Sequence, residues 1–297
     1  MNVNYVILAT IKINYVFLVP ISVIYVILAA ISVTYITFTV IGVTYVTFTI
    51  INVTYVTLDT INVIYVTLDT IGVNFVTLAA ISINYITLAA ISINNVTPTV
   101  MNVNYVILAT MNINYVSFAP ISVTYVILAA ISVTHITFTV IGVTYVTVAI
   151  INVTYVTLAA IYAIYVTLDT IGVNFATLAV ISINYVSLVA IIINHVTSPF
   201  INVNYVIFAT ININYVTLAA IGVTYVTLTT IGVNYITFAA IGVTHVPLAT
   251  IFFTYVTLAT ICVNYVTLRA IGVNYVTLEM ICVNYVTLVV IGFFTSF

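Results

Sequence analysis

The sequence predicts an all-β chain, a repetitive β-solenoid. Three observations lead there. The 297 residues repeat one decapeptide, close to Ile-x-Val-Asn/Thr-Tyr-Val-Thr-Leu-Ala-Thr/Ala, from the first block to the last. About half of them are Val, Ile or Thr, whose branched side chains are stiff at χ1 and suit a pleated strand better than a helix. A period of ten is a whole number of strand periods, whereas ten residues at roughly 100° each carry a helix off any common face.

A residue's last digit gives its place in the block, with zero standing for ten. Clean copies include Ile231-Gly-Val-Asn-Tyr235 and Ile271-Gly-Val-Asn-Tyr-Val-Thr-Leu278. All but Tyr162 of the 24 tyrosines stand fifth, and all 9 glycines, such as Gly42 and Gly142, stand second. A longer period lies above the first. Residues 1–100 and 101–200 match at 77 positions, and Met1–Thr10 returns unchanged as Met101–Thr110. No linker or shift of composition separates 1–100, 101–200 and 201–297, so 1–297 reads as one continuous decapeptide array.

Within a block, apolar residues fall at positions 1, 3 and 5, then at 6 and 8. The alternation slips between Tyr at 5 and Val at 6, and again before the next Ile. Five-residue half-blocks separated by corners account for both slips. Positions 9, 10 and 2 carry Ala, Thr, Asp, Ser, Asn and Gly, residues that tolerate a bend. Asn-Gly and Asp-Gly, the strongest hairpin signals, are absent. Stacked coils, each burying a face on its neighbours, therefore fit better than a hairpin meander.

The half-block Val-Thr-Leu-Ala-Thr, as at Val256–Thr260, resembles a unit of the pentapeptide-repeat proteins, whose central position is here Leu or Phe in most blocks, including Phe38, Phe138 and Phe208. The other half-block, Ile-Gly-Val-Asn-Tyr, departs from that pattern by placing a bulky Ile where the family has a small inward residue. The resemblance implies a right-handed four-sided β-helix with twenty residues per coil. Positions 1, 3, 6 and 8 would point inward, and positions 4 and 7 would form outward ladders. It also implies that Cys262 and Cys282, both second in their blocks, are stacked neighbours and candidates for a disulfide. On the same reading Asp59 and Asp69 fall on opposite faces. Neither end carries a polar cap, so self-association through uncapped solenoid ends is expected.

Charge limits function. Only 2% of residues are charged, with two Lys or Arg against four Asp or Glu. Two cations cannot neutralise a useful number of phosphates, so no nucleic-acid partner is expected. So few ionisable groups also leave little for acid, base and orienting roles, and the chain is expected not to be an enzyme. His135, His195 and His245 all occupy the tyrosine column at spacings unlike a ligand set. Asp59, Asp69, Asp169, Glu279 and Arg269 share position 9 and read as solvated corner residues. No catalytic, metal or cofactor site and no small-molecule substrate are assigned. Asn52-Val-Thr54, Asn95-Val-Thr97 and Asn152-Val-Thr154 match a glycosylation acceptor pattern, as chance dictates in a chain this rich in Asn and Thr.

Four readings of function follow. The leading one is a non-enzymatic low-complexity β-repeat chain without specific activity, the product of translating a 30-base tandem DNA repeat. Position 2 supports it by running through Asn, Ser, Gly and Cys in single-base steps. The alternatives are a selected structural solenoid that self-assembles, an ice-binding one carrying Thr-x-Thr rows such as Thr37-Phe-Thr39 and Thr227-Leu-Thr229, and a membrane-associated hydrophobic repeat. For the last, hydropathy favours spans, while the recurring Asn and Thr and the strand period oppose helices. Met1 already stands first in a block, so no leader is read.

Overall fold

The computed structural model describes residues 4–291, apart from the side chains of Phe253 and Val273. The expectation of uncapped ends therefore falls partly on residues 1–3 and 292–297, outside the described residues. The chain divides into two compact units, Met1–Val153 and Thr154–Phe297. The division lies inside block 151–160 and does not follow the copy junctions at 100 and 200. Every described element is a strand.

In the N-terminal unit, β1 (Tyr5–Ile11), β2 (Tyr15–Leu18), β3 (Tyr25–Ile31) and β4 (Tyr35–Ile41) precede β5 (Tyr45–Ile221), an extended run that continues beyond the unit. β1 pairs with β3 in parallel, Tyr5 opposite Tyr25, and β2 pairs with β4, Tyr15 opposite Tyr35. Both then pair with β5, Tyr25 opposite Tyr45 and Tyr35 opposite Tyr55. Each residue thus meets the one twenty further on, and a coil consists of two strands that belong to two separate stacks. β2 stops at Leu18, two residues before Pro20, which has no amide hydrogen for a ladder. In the C-terminal unit the register is the same. β5 pairs with β6 (Tyr225–Ile241), β6 with β7 (His245–Ile261), β7 with β8 (Tyr265–Ile281), and β8 with β9 (Tyr285–Ile291), all parallel and all offset by twenty.

The corners come from one backbone feature. From Lys12 to Cys282, every second-position residue has positive φ, between 52 and 67°. This is the left-handed region, open to Gly at no steric cost and to Asn at little, which explains why position 2 so often holds them. Ile192 (φ 60) occupies it at a real cost, being β-branched. Ladder bonding runs through the corners as well. The Lys12 amide donates to the Ile31 carbonyl at 3.0 Å, and the Tyr35 amide to the Asn14 carbonyl at 2.9 Å.

Two features differ from the family likeness. The likeness implies four five-residue sides, but a coil has two seven-residue strands joined at corners of three residues, such as 12–14 and 32–34. The inward set is 3, 6, 8 and 10 rather than 1, 3, 6 and 8. In β4, Ile36, Phe38 and Val40 are buried, while Tyr35, Thr37, Thr39 and Ile41 face out. Positions 9 and 10 therefore lie in the strand, not at a bend. The alternation from position 5 to the next position 1 is unbroken, and the left-handed residue at 2 resets it so that position 3 turns in.

The core is filled by columns 3, 6 and 8, with small residues at 10. Phe38 and Phe48, from opposite stacks, meet edge to face with centroids 4.6 Å apart, placing column 8 at the middle of the coil. Where column 8 shrinks, column 10 grows. Ser198 and Phe200 are both fully buried, and their volumes exchange within one strand. The Thr residues of column 10 carry an unusual burden. Thr60 and Thr250 donate to the Ala79 and Arg269 carbonyls at 3.5 and 3.2 Å. The hydroxyls of Thr70, Thr110, Thr170, Thr210, Thr230 and Thr260 are buried without a partner.

Candidate functional surface

What the fold presents outward is a set of ladders. Column 5 stacks its rings. In the N-terminal unit Tyr5, Tyr25, Tyr45, Tyr65, Tyr85, Tyr105, Tyr125 and Tyr145 form one continuous pile with centroids 4.8–5.0 Å apart and planes within 7°. In the C-terminal unit Tyr155, Phe175, His195, Tyr215, Tyr235, Tyr255 and Tyr275 form another. The spacing is that of adjacent strands, so stacking follows from the register, and each pair adds about 0.5–1.5 kcal/mol beyond its buried area.

Column 4 carries amide ladders beside the rings. Asn94 donates to Asn74 at 3.1 Å and Asn114 to Asn94 at 3.2 Å. In the other unit Asn194, Asn214 and Asn234 each donate to the residue twenty before, at 2.9–3.0 Å. Ladders of this kind hold register through every rung.

The histidines belong to the ring ladder. His135 stacks on Tyr115 at 4.8 Å, His195 between Phe175 and Tyr215, and His245 between Tyr225 and Tyr265 at 4.6 and 4.7 Å. Among the described residues no three His, Cys, Asp or Glu gather as metal ligands. The position-9 charges stand on strand faces rather than at corners. Asp59 lies opposite Thr39, in the stack of β4, while Asp69 belongs to the stack of β3. Arg269 lies opposite Ala249 and Val289, and Glu279 opposite Ala259.

Cys262 and Cys282 come together on adjacent rungs of one corner, both exposed, both with free thiols. A hydrogen bond shared with the Cys282 thiol, reinforced by the charge Cys282 takes on when ionised, pushes the Cys262 thiol above its usual range.

The flat faces hold the grooves. In the N-terminal unit Ala89, Ala109 and Ala129 floor a groove of about 310 Å³ beside a ridge of Ile91, Met111 and Ile131. The C-terminal unit repeats it, with Ala209 between Val189 and Thr229 beside Ile191, Ile211 and Ile231, at about 250 Å³. A third depression of about 210 Å³ runs along Tyr225, His245 and Tyr265, where Pro247 replaces the usual Thr. The sequence reading missed this surface, although a signal was present. Every Ile at position 7 (Ile7, Ile27, Ile107, Ile127 and Ile207) lies in an odd-numbered block, so in the N-terminal unit one face collects four of them.

Among the described residues no helix is long and apolar enough to cross a membrane, which says nothing of strands. Comparison with known proteins returns no matching family model, no similar curated protein and no similar solved structure.

Proposed function

We propose that the protein works structurally, as a non-enzymatic β-solenoid that associates with further copies of itself through its flat apolar faces. The observation that carries this is the uncharged groove of Ala109 and Ala129 beside the ridge of Met111 and Ile131, with Ile107 and Ile127 exposed on the same strand faces. Contiguous exposed apolar surface beyond a few hundred Å² marks an interaction site. A row of Ile beside a row of Ala is self-complementary, because the ridge of one copy fits the groove of another at the roughly 10 Å spacing of packed sheets. A seven-residue strand spans about 23 Å and eight rungs rise about 38 Å, so the whole face, Asp69 and its Thr neighbours included, offers on the order of 900 Å², of which the three uncharged rungs that hold the groove supply about a third. A standard interface takes about 800 Å² from each partner. Sedimentation velocity over a range of concentration tests this reading. The wild-type chain is expected to run as a dimer or larger, and the Ile107→Lys/Ile127→Lys variant as a smaller species. A wild-type chain that stays monomeric at all concentrations defeats it.

The Thr rows speak less for ice binding than for β-propensity. Thr47 and Thr49 lie opposite Ile27 and Ala29, Thr227 and Thr229 opposite Ile207 and Ala209, and Thr39 opposite Asp59. A lattice match needs the same row on successive rungs. Kinship with pentapeptide-repeat proteins rests on the twenty-residue coil and on Leu or Phe at position 8. The inward set and the left-handed corner weigh against it. The uniform decapeptide and the single-base steps at position 2 support an origin in a translated 30-base tandem DNA repeat, from which a structural role would be a later gain.

A further inference from the structure

We propose that Cys262 and Cys282 form a two-coordinate thiolate site for a soft metal ion of the copper(I) class, clipping two adjacent coils at one corner. The placement is tightly defined. Both residues hold the left-handed corner conformation, with φ 54 and 55°. The Cys262 amide donates to the Ile281 carbonyl at 2.9 Å, and the Asn284 amide to the Val263 carbonyl at 3.2 Å, so the corners are stacked rung on rung. Two positions further on, Asn284 donates to the side chain of Asn264 at 2.9 Å.

Equal φ on adjacent rungs points the two Cα–Cβ bonds the same way. Both the Cα and the Cβ atoms are then separated by about one strand spacing, roughly 4.8 Å. The Cα distance suits a disulfide, but the Cβ atoms of a disulfide sit about 3.8 Å apart, 4.5 Å at most. Closing one here would require the corners to tilt together. At the roughly 2.3 Å of a zinc–sulfur bond, two metal–thiolate bonds in a line span about 4.6 Å, close to the separation of the two Cβ atoms. Thiolate pairs select soft ions such as copper(I). Zinc takes four ligands, and no third His, Cys, Asp or Glu gathers at this corner among the described residues. Both thiols are exposed, so the ion has an open path.

Binding changes no oxidation state. Two S–H bonds break, two S–Cu bonds form, two protons leave to solvent, and copper stays monovalent, giving a complex of net charge minus one. Because uptake releases two protons, it strengthens as pH rises.

The test is anaerobic titration of the reduced full-length chain with copper(I) supplied as its bicinchoninate complex, read by loss of the chelator's colour and by native mass spectrometry. One copper per chain is expected. Cys262→Ser and Cys282→Ser should each weaken binding by about 100-fold or more, since one thiolate is a poor site for a two-coordinate ion. A rescue separates geometry from mere thiol content. Gly242 occupies the next rung of the same corner, and a Cβ there meets nothing nearer than 3.9 Å. Cys282→Ser/Gly242→Cys should therefore recover binding, while Cys282→Ser/Gly232→Cys, which puts the thiol on the opposite corner, should not. Equal affinity in the single-cysteine variants, one copper shared by two chains, or equal rescue from either corner would overturn the proposal.

Discussion

Positions 10 and 1 are neighbours in sequence and exchange the roles their side chains suggest. Thr60 is 1% exposed and Ile61 37%; Thr170 is 2% exposed and Ile171 45%. The polar residue is inside and the larger apolar one outside. Hydrophobicity does not set this order; backbone alternation does. Once the left-handed residue at position 2 fixes the phase, every second residue must turn in, and the outward Ile is accommodated by stacking on its own copies above and below. The lesson extends to Tyr at position 5. An apolar residue in a solenoid can be half-sheltered by the ladder it belongs to without entering the core.

Substitutions can break this comparison or sharpen it. The largest effect is expected from charge. Thr170→Asp buries an unpaired carboxylate and should cost more than about 4 kcal/mol. Ile171→Asp, one residue along, should cost under about 1 kcal/mol. Urea midpoints of the two variants, measured side by side, read the contrast directly. Next comes volume. Phe238 is fully buried in column 8, and Phe238→Ala should lose about 3–5 kcal/mol in the same assay.

Smaller effects separate members of one column. The Thr230 hydroxyl is buried without a partner, so Thr230→Val should stabilise by about 1 kcal/mol. The Thr250 hydroxyl donates to the Arg269 carbonyl, so Thr250→Val should give no gain. Equal gains would show that the two hydroxyls are alike. The smallest effect lies at the corner. Ile192 is exposed and has φ 60°, and Ile192→Asn should raise stability by about 1 kcal/mol or slightly less.

The β architecture, the period and the stacking of coils were legible in the sequence because β-branched content and a ten-residue repeat leave no helical solution. Position 2 was recognisable as a bend from its Gly, Asn and Ser. The inward set was not. Ile at 1 and Tyr at 5 are as apolar as Val at 3 and 6, and a pattern of hydrophobicity cannot tell a core column from a stacked outer one. Position 10 was misread for the complementary reason. Ala and Thr look like corner residues, yet they are small enough to fit beside the Leu and Phe of column 8. The charged residues misled in a similar way, since Asp59 and Glu279 stand on open strand faces. Of the candidate sites, the adjacency of Cys262 and Cys282 follows from a twenty-residue coil, which the family likeness implies. The five Ile at position 7, all in odd-numbered blocks, encode the same twenty-residue coil within the sequence itself.

The most direct test of the two-stranded coil is a thiol accessibility scan of one block. In a Cys262→Ser/Cys282→Ser background, each of residues 231–240 is replaced in turn by Cys and its alkylation rate measured in the folded chain. Protection is expected at 233, 236, 238 and 240, with fast labelling at 231. Protection at 231, 233, 236 and 238, with 240 open, would contradict the fold described here and restore the four-sided coil.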